Sequence, residues 1–533
     1  VIGLELVVVL GVVIVVCGVL ARRTRVADPI LLLVAGVLLG FVPALRQVHL
    51  PPELMLLVFL PVLLYWEAIT ISLREIRATL RGIVLTSTLL VVVTAAAVAA
   101  AAHALGLPWG PAWVLGAAVA PTDATAVGVL ARALPRRTVT VLRAESLVND
   151  GTALVLYGVA VGVTVGEETL SAGHVTWLFV LAYGGGIAVG LLVAWLAVLA
   201  RRRIDDPLLG NVVVLLIPFT AYLLAELIEA SGVLAVVVCG LVMSQVGPRI
   251  GRAATRQQTV AFWSVSTYLI NASLFVLVGL EAQSAVRNLV SEDLVTAVVG
   301  VAVVCAVIVV VRFGFLVLSA YTIRLVDRRP SQRGRRVTNR ARAVSTVAGF
   351  RGAVSLAAAL AVPTTLSSGA AFPDRDLIVF ITCGVVATTL VVQGLLLAPT
   401  IRWARLPDDD GLARERRLAD ETAAQEALDA LPDVAAALGT DPSVVDRLRG
   451  EYEEHLTLLR ARDAEGDEGG EPDPAVRLDD EYTDLRLALL ARKRETVVRL
   501  RDQRAIDDTV LRQVQARLDL EEIRLSRGDP APE

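Results

Sequence analysis

The sequence predicts an all-α polytopic membrane protein of about thirteen transmembrane helices followed by a helical tail. Three observations carry that prediction. Of 533 residues, 55% are hydrophobic and 19% charged, with a mean hydropathy of +0.66, a balance foreign to a soluble domain with one core. The apolar runs are continuous over about 20 residues, the length of a helix crossing a bilayer, where barrel strands would alternate over about ten. Loops rich in arginine alternate with loops holding one arginine or none.

Apolar windows begin near Val1, Asp28, Glu53, Gly82, Pro111, Val141, Val175, Pro207, Ser231, Gln258, Asp293, Ala343 and Asp376, the last ending near Pro399. The first, Val1 to Leu20, lacks the basic start and small-residue cleavage site of a signal peptide, so it reads as a first helix. The third carries Glu67, which fits either path lining or packing near a helix end. In the fifth, Pro121 removes a backbone donor and disfavours helical geometry at Ala120, so the helix is expected to break beside Thr122 and Asp123. On the sixth, Ser146 and Asp150 share a face, with Glu145 and Asn149 on the adjacent one. The eleventh contains Arg312, expected to steady the second half by pairing with a carbonyl or an acid. In the twelfth, Gly349 and Gly352 bracket Arg351 and suggest a second interrupted helix. If spans one to six and eight to thirteen are repeats of inverted topology, spans five and twelve occupy equivalent positions.

Arg22, Arg74, Arg136, Arg201, Arg249 and the cluster from Arg324 to Arg342 all fall in alternate loops, which places the N-terminus outside and the C-terminus in the cytoplasm. Residues 1–402 form the expected membrane domain and 403–533 the tail. From Arg402 onward 33 acids face 21 bases, a net charge of −12 against −3 for the whole chain. Within the tail, Asp463 to Pro474 reads as a flexible break.

Cys17, Cys239, Cys305 and Cys383 all sit in apolar spans without metal-ligand spacing and read as packing residues. His49, His103 and His174 fall in or near outer loops, and Trp66, Trp109, Trp113 and Trp177 fit an aromatic belt rather than a stacking site. Neither a nucleophile with its base nor a phosphate-binding glycine loop or zinc motif is recognisable, so an enzyme is not expected. Basic residues follow topology and the tail is acidic, which argues against nucleic-acid binding. No cofactor is called for.

Asp123 and Asp150 lie where the bilayer makes an ionised group costly by a few kcal/mol or more, so each should face a partner, a cavity or an ion path. A broken helix frees backbone carbonyls at the same depth, tolerated only where they line a cavity or bind something. Carbonyl, hydroxyl and carboxylate oxygens suit a hard cation such as Na⁺, and by the same chemistry Li⁺ or K⁺.

Pro121-Thr122-Asp123, Glu145-Ser146-Leu147-Val148-Asn149-Asp150-Gly151, Phe262-Trp263 through Asn271 to Phe275-Val276-Leu277-Val278-Gly279-Leu280, and Gly349-Phe350-Arg351-Gly352-Ala353-Val354-Ser355 occur in this order. In them the chain resembles the monovalent cation/proton antiporter family, specifically the bacterial Na⁺/H⁺ exchangers related to eukaryotic sodium/proton exchangers. The resemblance covers about Val1 to Arg402; the tail is only loosely similar to the long-tailed bacterial branch. It implies that Asp150 carries the ion or the proton, with Asp123, Ser146 and Thr122 completing the cation shell. It also implies that Glu145 pairs with Arg351 beside the site, that Asn149 orients the break and favours electroneutral exchange, and that the protein is a homodimer in the plasma membrane. Burial disfavours a bare carboxylate, so proton and cation would exclude each other at Asp150. Two other readings remain: a proton-uncoupled cation channel built on the same acids, and a membrane-anchored sensor acting through the tail.

Overall fold

The computed structural model describes residues 2–24, 26–43, 55–123, 134–166, 172–204, 206–250, 253–288, 294–326, 338–406, 411–468 and 473–526. His49 lies outside them. The chain divides into two compact units, Val1–Asp408 and Asp409–Glu533.

In the first unit, α1 (Ile2–Thr24) and α2 (Asp28–Leu39) are followed by a π turn, Met55–Phe59, that runs into α3 (Leu60–Thr70). Helix α4 (Leu73–Val84) joins α5 (Leu90–Ala104) through a second π turn, Leu85–Leu89. Then come α6 (Trp109–Val119), α7 (Arg136–Val165), α8 (Ala172–Arg203), α9 (Pro207–Glu226), α10 (Gly232–Ile250), α11 (Ala253–Asn288) and α12 (Leu294–Val326). The twelfth span is α13 (Asn339–Val347) and α14 (Ala353–Leu360); the last is α15 (Arg375–Thr388), a third π turn, Thr389–Gln393, and α16 (Gly394–Ala404). A helical segment thus accompanies every predicted window, and eight of those described are long and apolar enough to cross a membrane. At the first predicted interruption α6 stops at Val119 ahead of Pro121, the second half of that span, 124–133, lying outside the described residues; at the second, Ala348–Gly352 separates α13 from α14.

The fourth span starts at Leu73, nine residues before the apolar window, because Ser72 caps it by accepting from the Glu75 N–H and a basic amphipathic turn precedes the apolar run. Helix α1 presents valines and leucines outward, as a lipid-facing helix does, whereas α6 is buried along nearly its whole length. Close helix contacts rest on small residues: Gly36 of α2 and Gly279 of α11 face each other so tightly that a methyl on either would strike the other backbone.

Trp66 departs from the aromatic belt expected of it. Its ring stacks on Trp263 at 5.8 Å and 4°, beside the fully buried Tyr65, because α3 packs inward against α11. Trp109 stacks on His103 at 4.1 Å, joining the end of α5 to the start of α6, while Trp177 is exposed.

The second unit holds α17 (Gly411–Leu438), α18 (Pro442–Glu468), α19 (Pro474–Asp502) and α20 (Asp508–Ser526). Its helices pack through Leu431, Leu456, Leu490 and Leu518, and Gly439 ends α17 in the left-handed region at φ 64°. Exposed pairs such as Arg460–Glu421 and Arg486–Glu521 tie the helices at about 1 kcal/mol or less each. Of the flexible break expected from Asp463 to Pro474, the first part is helical, since α18 continues to Glu468 through the helix-favouring Ala464 and Glu465; 469–472 lie outside the described residues.

Candidate functional site

The two interruptions meet. The Asp123 N–H, released by the end of α6, donates to Phe350 O at 2.8 Å. Each break also supplies a charge to the other's helix. Arg351, 2% exposed, donates through Nε to Val119 O at 3.0 Å, so a cation occupies the carbonyl end of α6. Asp123 lies against Gly352, the residue preceding α14, so an anion occupies that helix's N–H end. A methyl group at Gly352 would overlap the Asp123 carboxylate, which is why the close approach needs glycine.

Helix α7 supplies the rest. Asn149 Nδ2 donates to Thr122 Oγ1 at 2.8 Å and reaches Thr122 O at 3.4 Å; the Thr122 hydroxyl is 3.4 Å from Glu145 Oε1. Asn149 therefore holds the non-helical stretch after α6 through both its side chain and its backbone. Asp150 is 6% exposed and Ser146 5%, one turn apart on the same helix. Among the described residues, the acids Asp123 and Glu67 bear on Asp150, and Asp123 and Arg143 bear on Glu67. Three carboxylates from α3, the first break and α7 thus share one electrostatic environment.

The pair expected between Glu145 and Arg351 is not formed. Glu145 Oε1 is bound by Arg312 Nη1 at 2.5 Å, with both side chains 3% exposed. Arg312 also donates from Nε to Ser345 O at 3.0 Å, while Arg351 spends its guanidinium on Val119 O and Gly349 O. The physical reason is the break itself: it exposes carbonyls beside Arg351, and their cheapest partner is the nearest cation. Gly349 makes room for the Arg312 side chain, whose Nε would lie 2.7 Å from a methyl added there.

The structure therefore brings Thr122, Asp123, Glu145 and Asn149 together at the first break, with Asp150 buried next to Asn149 on α7 and Ser146 one turn away, and Arg351 joins the second break to the first through Val119 O. Sequence reasoning left Arg312 without a named partner, and Glu67 undecided. It passed over Thr389 and Gln393, buried polar side chains of the last span that touch the second break. The one signal available was an amide inside an apolar run.

The model of the transmembrane sodium/hydrogen exchanger family matches residues 11–403. An uncharacterized Na⁺/H⁺ exchanger of Mycobacterium tuberculosis is 47% identical over 531 residues, covering 99% of this chain and 97% of the relative. The low-affinity Na⁺/H⁺ antiporter NhaS1 of Synechocystis is 31% identical over 375 residues, 70% of this chain and 68% of the relative. Among solved structures, the sodium proton antiporter MjNhaP1 of Methanocaldococcus jannaschii superposes with a TM-score of 0.56 at 18% identity, covering 75% of this chain and 99% of that one. That last likeness is one of fold.

Proposed function

The chain belongs to the transmembrane sodium/hydrogen exchanger family, and we propose that it exchanges Na⁺ for H⁺ across the plasma membrane by competition at Asp150. Li⁺ and K⁺ satisfy the same oxygen chemistry and are admitted as cargo. Cation/proton antiport is the activity of the family; the carrier residue, the ion and the stoichiometry are our reading.

The observation that carries it is the hydrogen bond from Asn149 of α7 to Thr122, which holds the neighbouring Asp123 at the helix that bears the buried Asp150. A carboxylate taken out of water and bordered by further acids needs a compensating positive charge. A proton on Asp150 supplies it, or a cation bound by Asp150 and Asp123 with the Ser146 and Thr122 oxygens. The two states exclude each other, which couples the fluxes. Asn149 and the Glu145–Arg312 pair hold the first break in place without taking part in the exchange of charge. An amide at Asn149, in place of a second acid, fits one-for-one exchange.

In this reading the N-terminus faces outward, the tail lies in the cytoplasm and two copies form the transporter. Movement of the elements bearing the breaks against the rest would present Asp150 to each side in turn.

The test is proton flux in sealed vesicles bearing the purified protein, on adding Na⁺, K⁺ or Li⁺ with the membrane potential first clamped and then released. Cation-driven proton movement that ignores the potential supports electroneutral antiport and identifies the ion. Cation flux without proton movement would replace this reading with a channel.

A further inference from the structure

The break in the twelfth span lays bare a run of backbone groups, and tracing where they bond leads to the last span. Val347 O and Gly349 O lie at the end of α13, where helical partners run out. With its amide nitrogen turned to face these acceptors, Gln393 donates to Gly349 O at 3.2 Å and to Val347 O at 3.3 Å. Thr389 accepts the Arg351 N–H at 3.3 Å while giving its own proton to Val386 O at 3.1 Å. Both side chains are buried, Thr389 at 2% and Gln393 at 7% exposure.

These two residues open and close the π turn Thr389–Gln393. A π turn inside an α-helix inserts a residue and re-aims the side chains around it, and costs regular hydrogen bonding in return. Here the widened turn points its first and last residues at the same five-residue break. It contributes an acceptor for Arg351 N, a donor for Val347 O, and a second donor for Gly349 O beside the Arg351 guanidinium. Arg351, fixed at its backbone by Thr389, is then positioned to reach Val119 O, and Phe350 O to receive Asp123 N–H.

We propose that Thr389 and Gln393 form a clamp that sets the position of the twelfth-span break, and through Phe350 and Arg351 the position of Asp123. They are positioning residues: neither is placed to touch the ion, and both act on the site through the backbone of the break. The inference rests on the antiport reading for its effect on transport, but the clamp itself is a statement about hydrogen bonds.

The experiment pairs two readouts on Thr389→Val, Thr389→Ser, Gln393→Leu and the control Thr400→Ala, whose hydroxyl bonds only its own helix on an exposed face. Amide hydrogen exchange in the peptides covering 119–123 and 347–352 reports the clamp without reference to transport. Cation-dependent proton flux, fitted for KM and maximal rate, reports its consequence. Thr389→Val and Gln393→Leu should speed exchange in both peptides and raise the cation KM roughly tenfold, the scale of one or two lost hydrogen bonds. Thr389→Ser should restore both, and Thr400→Ala should resemble the parent. Should Gln393→Leu not reach the membrane, Thr389→Val, nearly equal in volume to the parent, carries the same comparison. Unchanged exchange in the 119–123 peptide of Thr389→Val would overturn the clamp, and deprotection with KM intact would overturn its positioning role in transport. A parent protein without cation-coupled flux would instead defeat the antiport reading, leaving the exchange data to judge the clamp.

Discussion

The N–H of Asp123 and the carbonyl of Phe350 are hydrogen-bonded at 2.8 Å, so one acid of the site is fixed by the backbone of the other interrupted helix. A shift of either break therefore moves Asp123. That relationship, with Arg351 on Val119 O, makes the two breaks a single unit.

Gly352→Ala should abolish exchange in a protein that still folds, since its methyl would overlap the Asp123 carboxylate and displace it. Gly82→Ala, whose added methyl meets open space, should exchange as the parent does. Proton flux in vesicles reads both, and an active Gly352→Ala would sever Asp123's placement from transport.

Arg312→Leu should destabilise the protein by about 3 kcal/mol or more, because it leaves Glu145 charged, buried and without its partner. Adding Glu145→Leu should recover a large part of the loss. Thermal unfolding of the detergent-solubilised variants provides the measurement, and equal melting of parent and Arg312→Leu would contradict the assignment.

Thr122→Val should raise the cation KM roughly five- to tenfold, by removing the hydroxyl that Asn149 holds and that we place in the cation shell. Asn149→Asp, which introduces a further carboxylate there, should make flux respond to the membrane potential. Flux of both variants under clamped and unclamped potential decides the matter.

Ending the chain after Leu406 should leave cation-driven proton flux in place, since the first unit contains every residue of the site within its own packing. Loss of flux from a truncated protein that remains folded in the membrane would favour a role of the tail in transport itself.

How much of this could be read from the sequence depends on whether one residue carries its own physical consequence. Pro121 does, because a missing donor breaks a helix wherever it stands, and Gly349 and Gly352 around Arg351 gave the second interruption. The partner of Glu145 did not follow, since it depends on which of two buried arginines the break occupies, and only packing decides that. Thr389 and Gln393 are neutral and sit inside an apolar run, where a polar side chain carries no charge penalty to draw notice. The place of Trp66 is not legible because an aromatic residue in an apolar span looks the same in sequence whether it faces lipid or Trp263.

The most direct test of the account is proton release on cation binding to the solubilised protein, with no gradient present, in the parent and in Asp150→Asn. Competition at Asp150 predicts that adding Na⁺ releases a proton for each ion bound, and that Asp150→Asn, while folded, neither binds the ion with parental affinity nor releases a proton. Parental binding and release in Asp150→Asn would contradict it and place the competing site elsewhere.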